Sequence, residues 1–347
     1  MSSTALYNKY RPSDFADVVG QSTIVTIVKA MCESKDLSNR NFLFTGPAGT
    51  GKTSIAKLIA RSLNGNLDNV IEVDAASRSG VDDIRELIQE AAQYPIGTKY
   101  KIIILDEVHS LSSAAFQALL ISLENQVGNT IWIGCTTNPE KIPATIISRV
   151  QTFKLSKIST ENIQKRLKFI LDSEIAEGRQ LTYTDEALGY LAKYAQGGMR
   201  DAITNLDKAL AFGSDVTIEL LEKALDLPNY DDYLNLLNAL VKKDNSEITA
   251  IADRVYNSGT NFVRWFEGFH SFLCNIVKYI FLKDISRTMI PSHYADKLEK
   301  YGMQHAAICL RLSNVVMTMT KDLKSTQYQL ETAMTYLCSP VVPKKEG

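Results

Sequence analysis

Residues 46–54 read GPAGTGKTS and follow the apolar run NFLFT at 41–45. Glycines at 46, 49 and 51 let backbone N–H groups converge on anionic oxygens with no Cβ in the way. Lys52 and Thr53 fall where a helix would begin, so strand, loop and helix succeed one another as a phosphate-binding loop requires. Lys52 would neutralise the outer phosphates of a nucleoside triphosphate, and Thr53 would offer a hydroxyl to Mg²⁺. The loop residues expected to hold the nucleotide are Gly46, Pro47, Ala48, Gly49, Thr50, Gly51, Lys52, Thr53 and Ser54.

Outward from the loop, short apolar runs alternate with helix-like stretches. A helix starts at Lys52, VIEVDA follows, then a helix near Val81 to Gln93, KIIILDE, a helix near Ser113 to Asn125, and TIWIGCTT. That alternation predicts a parallel sheet with buried central strands. KIIILDE puts four aliphatics before two carboxylates, the form of a buried strand that presents acids at its C-terminal edge. Asp106 would hold Mg²⁺ directly or through water, and Glu107 could polarise the attacking water. TIWIGCTTN ends in Thr136, Thr137 and Asn138, which would fall beside the γ-phosphate if this strand lies between the first and third. Arg149 and Arg200 are each open to two readings, a structural ion pair or a guanidinium that stabilises the transferring phosphoryl group.

From about Leu155 the strand signal disappears. Ser159 and Thr184 read as helix N-caps, and Gly197-Gly198 punctuates before a helix near Arg200. After DLPNYDD the chain is again helical, and Phe262, Trp265, Phe266, Phe269 and Phe272 recur at helical spacing, which implies core or interface. The expected division is 1–155, 156–227 and 228–347.

The 347 residues carry 38 basic against 39 acidic side chains, so any surface for nucleic acid must be local. Five scattered cysteines form no Cys-x-x-Cys pair, which indicates neither zinc nor a disulfide framework. The N-terminus lacks a signal pattern, and FHSFLCNIVKYIFL is interrupted by His, Asn and Lys, so no membrane segment is expected.

GPAGTGKTS, VIEVDAASRSGVDDIREL, KIIILDEVHSLSSAAFQALLISLEN, TTNPEKIPATIISRV and GGMRDAITNLDKAL, preceded by YNKYRPSDFADVVGQ, closely resemble one family. It is the ATPase subunit of bacterial clamp loaders, the gamma/tau subunit of DNA polymerase III, within the AAA+ superfamily. The resemblance runs from Leu6 to about Ala211 and implies an α/β AAA+ domain, a small helical lid and an all-α collar. By resemblance, Tyr10, Arg11 and Pro12 with Val18, Val19 and Gly20 enter the adenine pocket, and Thr137 is the first sensor with Asn138 beside it. Arg149 matches the arginine finger that acts on a neighbouring subunit's ATP, and Arg200 the second sensor.

The resemblance further implies several copies of this chain with other loader subunits in an open spiral of five. ATP binding would assemble it to hold a sliding clamp open around primer-template DNA, and hydrolysis would release the clamp. Arg78, Ser79 and Lys141 would follow DNA phosphates and read a primed junction by shape. Gln117 is a candidate link between DNA and Glu107. The sequence departs from the family in three ways. SLNGNLDN stands where members carry a four-cysteine zinc module, so no zinc is expected. The sequence ends at Gly347, which reads as a gamma-like form without the tau extension. Val150 replaces the cysteine after Ser-Arg, and basic residues around SLSSAAFQALLISLEN are largely missing. The implied compartment is the cytoplasm, of a bacterium or of a phage host. Two other readings remain: another AAA+ motor such as a branch-migration helicase, and a nucleotide-dependent scaffold with little turnover.

Overall fold

The structure is a computed structural model and describes residues 5–34, 41–125, 129–225, 230–257 and 259–319. It separates into two compact units, residues up to Thr217 and residues from Ile218 on.

In the first unit, helices α1 (Leu6–Lys9) and α2 (Ser22–Ser34) precede strand β1 (Phe42–Thr45). Then follow α3 (Lys52–Asn64), β2 (Val70–Asp74), α4 (Val81–Ala91), β3 (Lys101–Asp106), α5 (Ser113–Asn125), β4 (Thr130–Thr136), α6 (Ala144–Ile147) and β5 (Gln151–Lys154). All five strands are parallel, in the order β2-β3-β4-β1-β5. β4 lies between β1 and β3, so the ends of the loop-bearing strand, the acid-bearing strand and TIWIGCT share one edge. Ile102, Ile103 and Ile104 of β3 and Ile131 and Ile133 of β4 are fully buried, because both faces are covered. One face packs against α2 and α3 through Val28, Ile55 and Ile59, the other against α4 and α5 through Ile84, Leu87, Phe116 and Leu119.

β5 is a strand that the sequence reading does not anticipate. Its four residues QTFK alternate half-buried with exposed at the sheet edge, a run too short and too polar for a periodicity argument. The first unit continues with α7 (Thr160–Ala176), α8 (Asp185–Tyr194) and α9 (Met199–Phe212). Ser159 accepts from the Asn162 N–H and Thr184 from the Ala187 N–H, as N-caps do. Strand structure does not end at Leu155: β6 (Thr182–Tyr183) and β7 (Asp215–Val216) form a two-residue parallel pair among the lid helices.

The second unit holds α10 (Ile218–Ala224), α11 (Tyr230–Lys242), α12 (Asn245–Asn257), α13 (Phe262–Leu282), α14 (Ala295–Leu298) and α15 (Met303–Met319). The aromatic series Phe262, Trp265, Phe266, Phe269 and Phe272 is buried along α13. Tyr233 of α11 packs against Trp265, Phe269 and Phe272 and donates its hydroxyl to the Trp265 carbonyl at 2.9 Å. This cluster is core. Residues 226–229 of the expected turn DLPNYDD, Cys338 and the chain beyond residue 319 lie outside the described residues. Among the described residues no helix is long and apolar enough to cross a membrane.

Candidate nucleotide site

The loop between β1 and α3 is hooked onto the sheet and onto the lid by its backbone. Gly46 N–H donates to the Thr136 carbonyl at 3.2 Å, and the Gly49 carbonyl accepts from Met199 N–H, the first residue of α9, at 2.9 Å. A Cβ on Gly46 (φ +140°) would lie 2.4 Å from the Leu155 carbonyl oxygen, which leaves no room for any side chain. Thr50 is buried and donates to the Pro47 carbonyl at 2.8 Å, fixing the loop's curve, while Pro47 and Ala48 stay exposed. Ser54 is half-buried one residue beyond Thr53.

Lys52 is 6% exposed and donates to the carbonyls of Gly46 and Pro47, both at 2.9 Å. Burial lowers its pKa, opposed by the nearby carboxylates of Glu107 and Asp106. Thr53 Oγ1 donates to Asp106 Oδ2 at 2.9 Å, so the two residues expected to hold Mg²⁺ meet across the β1 and β3 ends. Among the described residues no three or more His, Cys, Asp or Glu gather as a metal cluster. An all-oxygen pair of hydroxyl and carboxylate suits Mg²⁺, which takes one or two protein ligands and fills its remaining positions with phosphate and water.

Glu107 adopts a left-handed conformation (φ 47°, ψ 43°), an uncommon state for a side chain with a Cβ and one that gathers at functional sites. Its Oε2 accepts from Thr137 Oγ1 at 3.1 Å and lies 3.2 Å from His109 Nδ1. Thr137 Oγ1 also lies 2.9 Å from Asn138 Oδ1, and Asn138 Nδ2 donates to Glu140 at 3.0 Å. His109, which the sequence reading passes over, therefore belongs to this group. The motif letters DEVH carry it, but only the fold shows that a residue two beyond Glu107 turns back onto it. Gln117 is exposed on α5, and among the described residues the Glu107 carboxylate accepts from Thr137 with His109 Nδ1 3.2 Å away.

Tyr10 is half-buried, donates its hydroxyl to Glu174 of α7 at 2.7 Å, and receives Arg166 on its carbonyl at 3.0 Å. Arg11, Pro12, Val18 and Val19 are half-buried along the segment between α1 and α2. Val18 packs on the core beneath the sheet, and the Gln21 amide bonds the Ser156 backbone in both directions. Arg200 is exposed one residue into α9, its guanidinium 5.3 Å from the Tyr7 ring centre. Arg149 pairs with Glu124 at 2.6 Å and donates to the Thr145 carbonyl at 2.9 Å. Arg78 and Lys141 are exposed in the segments that follow β2 and β4, and Ser79 gives its carbonyl to Ser112 N–H at 3.1 Å.

A parallel sheet in this order, with a phosphate loop after β1, acids at the end of β3 and a helical lid touching the loop, defines an AAA-type nucleotide-binding fold. The model for the "ATPase family associated with various cellular activities (AAA)" matches residues 42–157, and that for the "DNA polymerase III clamp loader subunit, ATPase lid domain" matches 162–215. The DNA polymerase III subunit gamma of Buchnera aphidicola (subsp. Acyrthosiphon pisum) is 31% identical, over 93% of this chain and 94% of its own. The chain belongs to the DNA polymerase III gamma/tau family. Subunit tau of Bacillus subtilis is 37% identical over 74% of this chain, and the match spans 51% of that relative's length. Subunit tau of Escherichia coli is 34% identical, with 43% of its length spanned. Among solved structures, the RuvB Holliday junction branch migration motor of Thermotoga maritima matches 71% of this chain at a TM-score of 0.53 and 17% identity, a likeness of fold alone.

Proposed function

We propose that this chain is a clamp-loader motor subunit, which binds and hydrolyses ATP to open a sliding clamp and load it onto primer-template DNA. The observation that carries the reading is the convergence of Lys52, the Thr53–Asp106 pair and the Glu107–Thr137 contact at one sheet edge, under a lid bonded to the loop. Residues 46–54 and Lys52 take the phosphates, and the segment holding Tyr10, Arg11, Pro12, Val18 and Val19 takes the adenine side. Thr53 and Asp106 hold Mg²⁺, which when bound neutralises charge on the phosphate oxygens. Glu107 accepts a proton from the attacking water, and Thr137 and Asn138 orient around the γ-phosphate. Arg200 reaches the nucleotide from the lid. Arg149 exchanges its Glu124 partner for the ATP of an adjoining subunit, so that turnover depends on how neighbouring subunits align.

Residues 156–227 serve as the lid and 228–347 as a collar joining the chain to other loader subunits in a five-membered spiral, in the cytoplasm. Arg78, Ser79 and Lys141 follow DNA phosphates in its channel. The branch-migration alternative has only the fold in its favour, whereas the lid match is to clamp loaders by name. The test is ATP hydrolysis by the purified chain with its partner subunits, with and without primed DNA and the sliding clamp, alongside Glu107→Gln. Stimulation that requires both DNA and clamp supports the reading; a rate indifferent to both sinks it.

A further inference from the structure

Glu107 carries its hydrogen bonds unevenly. Thr137 Oγ1 donates to Oε2 at 3.1 Å and His109 Nδ1 lies 3.2 Å from the same oxygen, while among the described residues none meets Oε1. A carboxylate held by one oxygen presents the other in a fixed direction, as a base aimed at one water needs.

Neither neighbour serves Glu107 alone. Thr137 owns a single hydroxyl proton and faces two acceptors, Glu107 Oε2 and, at the shorter 2.9 Å, Asn138 Oδ1. It can satisfy only one at a time, so Thr137 alone cannot hold Glu107 in place. His109 Nδ1 likewise faces two oxygens, Thr136 Oγ1 and Glu107 Oε2. Its side chain is 14% exposed, held in the turn Val108–Ser110 that the left-handed Glu107 sets up. Its Nδ1 also lies 3.0 Å from Thr136 Oγ1, which itself accepts from Asn138 N–H at 3.0 Å. If Nδ1 were the lone-pair nitrogen it would face the lone pairs of an acceptor-only carboxylate, a repulsive contact. The proton therefore sits on Nδ1, shared between Thr136 Oγ1 and Glu107 Oε2.

We propose that His109 is a positioning residue for hydrolysis, its Nδ1–H shared between Thr136 Oγ1 and Glu107 Oε2, so that Oε2 is tied to the end of β4 and Oε1 faces the attacking water. The inference rests on the proposed role of Glu107 and adds a residue to it. It also gives the end of β4 a route to the base, because Thr136 touches His109, Thr137 touches Glu107, and Asn138 bonds both threonines.

The experiment compares His109→Ala, His109→Asn, His109→Gln and Glu107→Gln in the full-length chain, by ATP turnover and by nucleotide affinity. Asn presents an amide N–H close to where Nδ1 sits, and Gln presents it near Nε2. Expected for His109→Ala is a kcat lowered on the order of tenfold, the size of one charge-assisted hydrogen bond, with KM for ATP and thermal midpoint unchanged. His109→Asn recovers most of that rate and His109→Gln does not. Combined with Glu107→Gln, His109→Ala produces no further loss. A wild-type kcat in His109→Ala, equal defects in the Asn and Gln variants, or a kcat loss that travels with KM and the melting temperature would overturn the inference. Wild-type turnover in Glu107→Gln would instead remove the proposed base, and this inference with it.

Discussion

Gly49 is where the phosphate loop meets the lid most closely, and Gly49→Ala turns that contact into a measurable quantity. Gly49 has φ +71°, and a Cβ there would lie 3.1 Å from Gly198 Cα and 3.4 Å from Arg200 N. Backbone atoms cannot swing aside as a side-chain tip can, so the start of α9 must retreat by a few tenths of an ångström. The same movement stretches the 2.9 Å bond from Met199 N–H to the Gly49 carbonyl. Gly65 supplies the control: φ is +79° and no atom lies within 4 Å of its added Cβ, so Gly65→Ala suffers the backbone penalty alone. That penalty is about 1 kcal/mol. Gly49→Ala adds a weakened hydrogen bond of about 1 kcal/mol, for a total of about 2. In a unit of this size each kcal/mol lowers the melting temperature by about 3 °C, so the expected shifts are about 3 °C for Gly65→Ala and about 6 °C for Gly49→Ala. Only Gly49→Ala should weaken nucleotide binding, by roughly tenfold, because only it disturbs loop and lid together. Calorimetry and a fluorescent nucleotide titration measure both. Equal melting shifts and equal affinities in the two variants would refute the claim that loop and lid are coupled through this contact.

Burial first, then the charges of Glu219 and Asp231, push Glu222 up to about 7, and its Oε1 has no hydrogen-bond partner among the described residues. A raised carboxyl favours the folded state when protonated, so this contribution is present below about pH 4.5 and is lost as pH rises through 7; Glu222→Gln should remove about 1 to 3 kcal/mol of that loss in thermal melts at pH 5 and 8. Glu174 is 6% exposed and accepts from Lys9, Tyr10 and Arg179. Glu174→Ala should destabilise the first unit by about 2 to 4 kcal/mol in denaturant unfolding and weaken ATP binding by loosening Tyr10, because Tyr10 and Arg179 lose this acceptor while Lys9 keeps only Glu177. Arg78→Ala and Lys141→Ala should each lower the slope of log affinity against log salt for primed DNA by about 1 with no change in base preference, read by fluorescence anisotropy. Arg149→Ala should leave ATP affinity within about twofold and cut turnover by roughly 10³-fold in the assembled complex, measured by single-turnover hydrolysis.

What the sequence made legible is what depends on short range and strong pattern. The central strands are runs of Ile because both faces are covered, the loop glycines mark positive φ, and Ser159 and Thr184 announce helices by hydroxyls that cap the third residue on. β5, β6 and β7 escaped because four or two residues without an apolar run, unlike the four of β1, give no pattern that rises above chance. The site divided along the same line. Lys52, Thr53 and Asp106 are readable as letters since each sits at the end of a strong element. The turn at Glu107 that folds His109 back, and the meeting of Gly49 with Gly198, arise from backbone conformation and from segments about 150 residues apart, and no window of sequence contains them.

The functional consequence lies in that second group. Phosphate binding by a glycine loop is local chemistry, which many folds possess, whereas coupling hydrolysis to a partner requires the base to feel a distant event. Here Glu107 accepts from Thr137 at the end of β4, and that strand end continues through Asn138 and Glu140 into the turn that bears Lys141. A phosphate pulling on Lys141 would move the turn Pro139–Lys141, and with it the Asn138 amide that competes for the Thr137 proton. When Asn138 withdraws, the proton returns to Glu107. DNA would then reach the base through the end of β4. Asn138→Ala should accordingly flatten the stimulation of hydrolysis by DNA, and an unchanged stimulation ratio would rule that route out.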